Sequence, residues 1–347
     1  LDGKITAILE KAEKTHSLLK DEIIFLLSLN EENAASLFIA ADKVRQEYVG
    51  DEIHLRGLIE FSNYCIKDCA YCGIRKSGEG IKRYRISEDD IIKIAGKAYE
   101  IGYKTLVLQC GEDPYYDVKK LCYTTESIKE KYAMALTLSA GEMELSDFDI
   151  LKSCGVDRYL LRIETTNREL FEKYHPDKDF DNRIKILRHF KKIGIQAGTG
   201  VLIGLPGQKA EDLAGDLLFY KEMNIDMVGM GPFIPCPGTP MENYEPGSVF
   251  LTLKMIALTR LLNPDIHIPA TTALETLGSG AREQALNCGA DVIMPNVTPY
   301  EFKEKYKLYP DKAGLNLDED EARSYIESIV IKLGRKVGLG FGHREKH

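Results

Sequence analysis

The chain has 347 residues, 46 Lys and Arg against 54 Asp and Glu (net charge −8), and 44% hydrophobic residues. That composition excludes a disordered chain, and the acidic balance argues against nucleic acid or an anionic membrane as the main partner. No apolar run nears the roughly 20 residues that span a bilayer. The longest early one, Ile23 to Leu29, is short and flanked by charges, which does not support a secretory signal. The chain opens on Leu1 rather than Met, which suggests a trimmed start. The expectation is a soluble, cytoplasmic protein whose eight Cys serve purposes other than disulfides.

The first fifty residues read as helices. Ile5, Ile8, Leu9 and Ala12 keep helical spacing, and Ser28 or Asn30 caps a segment whose face is Ala34, Leu37, Phe38 and Ala41. From residue 54 short β-rich runs alternate with amphipathic ones. Strands are predicted over 54–62, 105–111, 133–140, 158–165, 196–205, 227–234, 267–273 and 291–296. Most are continuous apolar runs, as parallel strands covered on both faces require. Ser87 caps one helical stretch, Asn182 precedes another, and 209–223 and 249–262 have similar faces. Eight strand–helix units over about 240 residues predict an α/β protein built as a (β/α)8 TIM barrel, with an open doubly wound sheet as the alternative. The expected plan is one domain over 1–347. It comprises N-terminal helices (1–50), the barrel (54–297) and a C-terminal extension (298–347), in which a helix over 318–333 precedes a mobile, Gly-rich basic tail.

Cys65-Ile66-Lys67-Asp68-Cys69-Ala70-Tyr71-Cys72 carries the strongest chemical signal. It follows the first strand, at the rim where barrel enzymes place their chemistry. Three thiolates this close converge on a soft metal centre. Structural zinc usually takes four protein ligands, and the loop offers no fourth Cys or His. A 4Fe-4S cluster held by three Cys leaves one iron open. Cys110, Cys122, Cys154, Cys236 and Cys288 are scattered singly and read as buried packing residues. Cys110 and Cys236 are set apart because they sit near strand ends.

CxxxCxxC with an aromatic before the third Cys, after the first barrel strand, resembles the radical S-adenosylmethionine (SAM) superfamily. The resemblance implies a 4Fe-4S cluster on Cys65, Cys69 and Cys72 as the catalytic centre. It also implies SAM on the open iron, cleaved to a 5′-deoxyadenosyl radical. Cofactor contacts are expected from Tyr71, from Gly111 and Glu112 of a CGE version of the family's GGE motif, and from Ser139, Glu164, Met294 and Tyr306. Arg183 is a candidate for the SAM carboxylate, since guanidinium suits bidentate recognition; a surface Arg at a helix start is the plainer reading.

The longer motifs EFSNYCIKDCAYCGIR, LQCGEDPYY, DRYLLRIET, GLPGQ, DMVGMGPFIPCPGTP, LTLKMIALTR, IPATTA and CGADVIMPN resemble the HydE group of FeFe-hydrogenase maturases over about 50–310. Biotin synthase and methylornithine synthase are sister groups. The implied substrate is a cysteine-ligated iron carbonyl–cyanide complex in the barrel cavity, and the implied partners are an electron donor and other hydrogenase maturases. Gln109, Thr137, Arg158, Arg162, Thr271 and Thr272 stand where donors to such an anion are needed, and Met227 lines its cavity. For the Thr pair, β-branched packing is an equal reading. Arg162 lies in an apolar strand and needs a buried anion, either the ligand or Glu164. The chain departs from the group in having Ile163 where a His is usual, Cys110 for Ser and Cys236 for His. It also has no Cys in AGLNLDEDEARSYIE, where many members hold a second cluster. A related enzyme acting on another small molecule, and a non-enzymatic iron–sulfur or zinc protein, are the alternatives.

Overall fold

A computed structural model describes residues 1–345. Three helices open the chain: α1 (Asp2–Thr15), α2 (Lys20–Leu27) and α3 (Glu31–Val49). Asn30 rather than Ser28 caps α3, its side chain accepting from the Asn33 N–H. Strands and helices then alternate: β1 (Glu52–Ser62), α4 (Glu88–Ile101), β2 (Thr105–Cys110), α5 (Val118–Lys131), β3 (Ala135–Ser139), α6 (Leu145–Ser153) and β4 (Arg158–Leu160). There follow α7 (Arg168–Tyr174), α8 (Phe180–Ile193), β5 (Gln196–Thr199), β6 (Leu202–Ile203), α9 (Ala210–Glu222), β7 (Met227–Val228) and β8 (Gly231–Pro232). The chain ends with α10 (Val249–Leu262), α11 (Thr272–Leu277), α12 (Ala281–Leu286), β9 (Val292–Ile293), α13 (Tyr300–Lys303), α14 (Glu319–Lys332) and β10 (Lys336–Val337).

The pairing β1-β2-β3-β4-β5-β7 is parallel throughout. Bridges from Met227 to His267 and from Pro269 to Val292, with β9 beside β1, carry the ring back to its first strand. All eight predicted strands thus contribute, and the barrel holds against the open-sheet alternative. Several are shorter than their apolar runs. The 196–205 run breaks at Gly200, where a Cβ would lie 1.7 Å from the Gly229 carbonyl oxygen, and resumes as β6 paired with β8. The 267–273 run gives way to α11 at Thr272.

Period-two alternation puts Arg56, Leu58 and Glu60 on one face of β1 and Ile59 and Phe61 on the other, in the core under the helices. At the N-terminal mouth the fully buried Arg260 pairs with Asp291 at 2.9 Å, and Asp291 also bonds the His267 ring at 2.6 Å. His267 and Arg260 hold the Asp291 carboxyl well below its ordinary range against the opposing effect of burial. Removing one partner of such a pair costs about 3–5 kcal/mol.

Two sequence expectations are corrected here. Cys122 and Cys154 are not separate packing residues: α5 and the end of α6 bring their Cα atoms to 5.4 Å and they form a disulfide. The C-terminal tail, expected to be mobile, crosses the N-terminal mouth of the barrel; residues 346 and 347 lie outside the described residues. The Phe341 and Gly342 carbonyls accept from Arg158 Nη2 at 2.6 and 2.8 Å, and Gly342 also accepts from Arg56 Nη2 at 3.1 Å.

Buried histidines give this mouth a pH dependence. Burial lowers His54 and His343 to about 4, so both fold as the neutral form. The unfolded chain takes up those protons near pH 6.5 and the folded chain only near 4. Stability is therefore complete above pH 6.5 and falls between pH 6.5 and 4. The urea midpoint is expected to drop from pH 7 to pH 5, and the double variant His54→Gln, His343→Gln is expected to flatten that slope.

Candidate active site at the C-terminal rim

The cysteine loop starts at the C-terminal end of β1 and is anchored on several sides. Gly73 N–H donates to the Leu308 carbonyl, Ala70 N–H to that of Tyr174, and Ile66 N–H to that of Glu112. Arg75 pairs with Asp68 at 2.6 Å. Cys65, Cys69 and Cys72 are all half-buried free thiols. Burial raises Cys69 and Cys72, and the nearness of the other thiols raises them further, while Lys178 and Arg183 lower Cys69. Lys67 N–H points at the Cys65 sulfur at 3.4 Å, and Ile74 N–H bonds that of Cys72.

Three thiols within electrostatic reach of one another become thiolates together only around a positive centre. The donor set, three thiols with sulfur-directed N–H groups, fits an iron–sulfur cluster.

The 110–113 turn buttresses the loop. A Cβ at Gly111 would lie 2.1 Å from the Tyr64 carbonyl oxygen and 2.9 Å from Cys65 Cβ, so only Gly permits this approach. Gly111→Ala is expected to displace Cys65 and lower the iron bound on reconstitution several-fold, with the circular dichroism spectrum unchanged. The Glu112 carboxylate faces Lys67 at 3.4 Å and Lys178 at 3.8 Å and accepts from the Glu142 N–H. Tyr71 hydroxyl donates to His175 Nε2 at 2.8 Å, while His175 Nδ1 donates to the Phe171 carbonyl. Burial lowers His175 to about 3, which keeps Nε2 an acceptor. The sequence reading did not single out Lys178, His175 or Glu142.

The other predicted residues divide into groups. Ser139 ends β3, paired in register with Gln109, whose amide donates to the Tyr306 hydroxyl at 3.3 Å. Arg162 finds its anion in Glu164, at 3.0 Å, and also donates to the Val201 carbonyl. Glu164 itself sits at φ 65°, a left-handed conformation rare outside Gly. Thr137 and Thr271 each carry a buried hydroxyl with no partner, Thr137 in register with Arg158. Thr272 and Met294 line a cavity beside β1 and β9.

Three assignments are displaced. Arg158 is the first residue of β4, so it lies at the opposite mouth, and its Nη2 is bound to the tail carbonyls. Met227, at the start of β7, is likewise low in the barrel, its sulfur 2.6 Å from Arg56 Nη1. Arg183 is buried rather than a surface residue, and its fork is taken by Glu142, at 2.5 Å, and by the Arg162 carbonyl. Arg56 and Glu60 were missed, although a charge in an apolar strand was the signal that marked Arg162. Cys110 is buried at the end of β2, and Cys236 approaches Gly73 of the cysteine loop.

Residues 59–219 match the profile of the Radical SAM superfamily. The FeFe hydrogenase maturase subunit HydE of Thermotoga maritima is 46% identical over 97% of this chain and 96% of its own. The 3-methylornithine synthase of Methanosarcina acetivorans is 31% identical over 93% of this chain and 91% of its own. A crystal structure of methylornithine synthase superposes with a TM-score of 0.83, at 28% identity, over 95% of this chain and 97% of that one. With a relative of 46% identity along nearly its whole length and the thiol triplet on the first barrel strand, the chain belongs to the radical SAM superfamily, in the family that includes HydE.

Proposed function

We propose that Cys65, Cys69 and Cys72 hold a 4Fe-4S cluster, that SAM occupies the iron they leave open, and that the enzyme acts in maturation of the di-iron centre of FeFe-hydrogenase. The observation that carries the reading is the loop itself: three free thiols within eight residues, at the barrel rim, pinned by a glycine turn that admits no side chain. The 46% identity to HydE supports the maturation role. When bound, the cluster and SAM supply a 5′-deoxyadenosyl radical.

This chain's own residues bind and orient. Backbone N–H groups at Lys67 and Ile74 stabilise the sulfurs. Gly111, Glu112, Ser139 and Tyr71 form the rim on which SAM is to rest, Tyr71 being fixed by His175. Glu164 holds Arg162 in place, and Gln109, Thr137 and Thr271 offer donors to an anionic guest inside the barrel. We propose as that guest the cysteine-ligated iron carbonyl–cyanide complex, with an electron donor and other hydrogenase maturases as partners.

Anaerobic reconstitution tests the reading. About four irons per chain and an electron paramagnetic resonance signal that shifts with SAM are expected. 5′-Deoxyadenosine should rise when the cysteine-bound iron complex is supplied and stay at background with lysine. Turnover with lysine instead would move the assignment to carbon-skeleton rearrangement, and a colourless zinc protein would end it.

A further inference from the structure

The proposed reaction takes in one electron from outside, and the outer face of the cysteine loop has the chemistry to receive its carrier. Residues 75–85 hold five Lys and Arg against one acid, Glu79, in a chain of net charge −8. Long-range bonds draw a second basic segment beside them. The Asn63 side-chain amide donates to the Lys82 carbonyl at 3.0 Å and to the Lys305 carbonyl at 2.9 Å. A Cβ at Gly73 would lie 2.0 Å from the Lys307 carbonyl oxygen, and the Lys76 N–H donates to the Lys67 carbonyl at 2.8 Å. Lys76, Lys82, Lys305 and Lys307 therefore all border the loop that carries the thiols. The first two and Lys307 are exposed, and Lys305 is half-buried. Among the described residues no carboxylate forms an ion pair with any of the four. Two acids of this rim, Asp68 and Asp113, are already neutralised, by Arg75 at 2.6 Å and by Arg85 at 2.8 Å. Within 75–85 and 304–307 the unpaired acids are Glu79 and Glu304, half as many as these lysines.

Apolar side chains stand on the same loop. Tyr64 and Ile66, on either side of Cys65, are 36% and 45% exposed, and Tyr115 is 42% exposed. The Arg85 guanidinium lies 3.9 Å from the centre of the Tyr64 ring and 4.8 Å from that of Tyr115, which gathers both rings into one patch. Exposed apolar groups edged by charge of one sign mark a contact surface. Resting on the cluster reading above, we propose that this face docks an acidic protein that carries one electron. The carrier loses the electron and the cluster gains it, with no bond made or broken. Lysines on this face attract the carrier's carboxylates against the net charge of the chain. The small patch gives a contact that is readily released, as a transient redox encounter requires. A carrier seated on Tyr64 and Ile66 stands next to Cys65.

The probe is a reduced, acidic plant-type 2Fe-2S ferredoxin, compared with photoreduced 5-deazariboflavin, a small uncharged reductant, on the cluster-loaded enzyme. Rapid-freeze electron paramagnetic resonance follows reduction of the 4Fe-4S centre by each. The combined variant Lys82→Glu, Lys305→Glu, Lys307→Glu should slow reduction by ferredoxin about tenfold or more at low salt and leave reduction by deazaflavin unchanged. A carbodiimide, which joins lysine amines to carboxylates in contact, should couple ferredoxin to Lys76, Lys82, Lys305 or Lys307 of the unaltered enzyme. Equal ferredoxin rates in variant and parent, or cross-links absent or confined to other faces, would overturn the proposal while a cluster reducible by deazaflavin still stands. An unaltered enzyme with no reducible cluster would refute the thiol reading, and this proposal with it. The cross-link map needs no variant and decides the matter even if the triple substitution fails to fold.

Discussion

Replacing Cys65, Cys69 or Cys72 singly by Ala is expected to abolish 5′-deoxyadenosine formation, by at least about 10³-fold, or some 4 kcal/mol of barrier. The size follows from the ligand count. On the proposed reading three thiolates would hold a cluster with one open iron, so removing one would leave the metal underligated. The carboxylates and the imidazole beside the thiols are committed elsewhere: Asp68 to Arg75, His175 to Tyr71, and Glu112 to Lys67 and Lys178. Iron content and the chromatographic yield of 5′-deoxyadenosine check the result together. Cys288→Ala is the control, because Cys288 is buried against the Leu253 carbonyl and far along the chain from the loop. It should lower the melting temperature slightly and leave turnover intact. A Cys65→Ala protein that still cleaved SAM at the normal rate would refute the cluster assignment.

What was legible in the sequence was whatever local spacing encodes. The CxxxCxxC triplet declares itself within eight residues, and the eight apolar runs each became a place in the barrel, because their periodicity is a property of neighbouring positions. Long-range facts were illegible. Arg158 and Arg162 lie on one face of one strand segment at even spacing, and nothing nearby says that the first meets carbonyls at 341 and 342 while the second meets Glu164. Arg183 was matched to the SAM carboxylate or to the surface because Glu142, which takes its fork, stands 41 positions away. The Cys122–Cys154 disulfide spans 32 residues and follows only from α5 and α6 packing side by side. Glu60 was a different kind of miss. The reasoning that singled out Arg162 applies equally to a carboxylate between Ile59 and Phe61, whose partner Lys312 is supplied by the extension beyond the barrel.

Truncation after Val337 is expected to destabilise the fold by about 3–5 kcal/mol, a fall in melting temperature on the order of 5–10 °C. Glycines make the tail fit. Gly342 sits at φ 56°, and a Cβ there would lie 2.8 Å from the His54 ring, so the chain passes the ring with its carbonyls turned toward the arginines. Arg56 and Arg158 face each other with their charges in mutual opposition, and burial lowers Arg56 to about 10. The tail's carbonyls disperse that charge, while Arg344 fastens the segment to Asp265 at 2.7 Å and Asp226 at 3.2 Å. Without the tail, two buried guanidiniums lose their carbonyl acceptors and keep Gln196 and the Met227 sulfur, and water entering the mouth offsets part of the loss. A double-mutant cycle isolates this contribution. Arg158→Met should be costly in the full chain, where it strips three tail contacts, and cheaper by at least about 1 kcal/mol in the truncated one, where it removes a repulsion instead. Additive effects would mean that the tail acts by covering apolar surface and not by satisfying the arginines. Because the tail closes the end of the barrel opposite the thiols, truncated protein kept below its melting temperature should bind iron as the full chain does. A loss of iron without a loss of stability would place the tail's role at the reaction site instead.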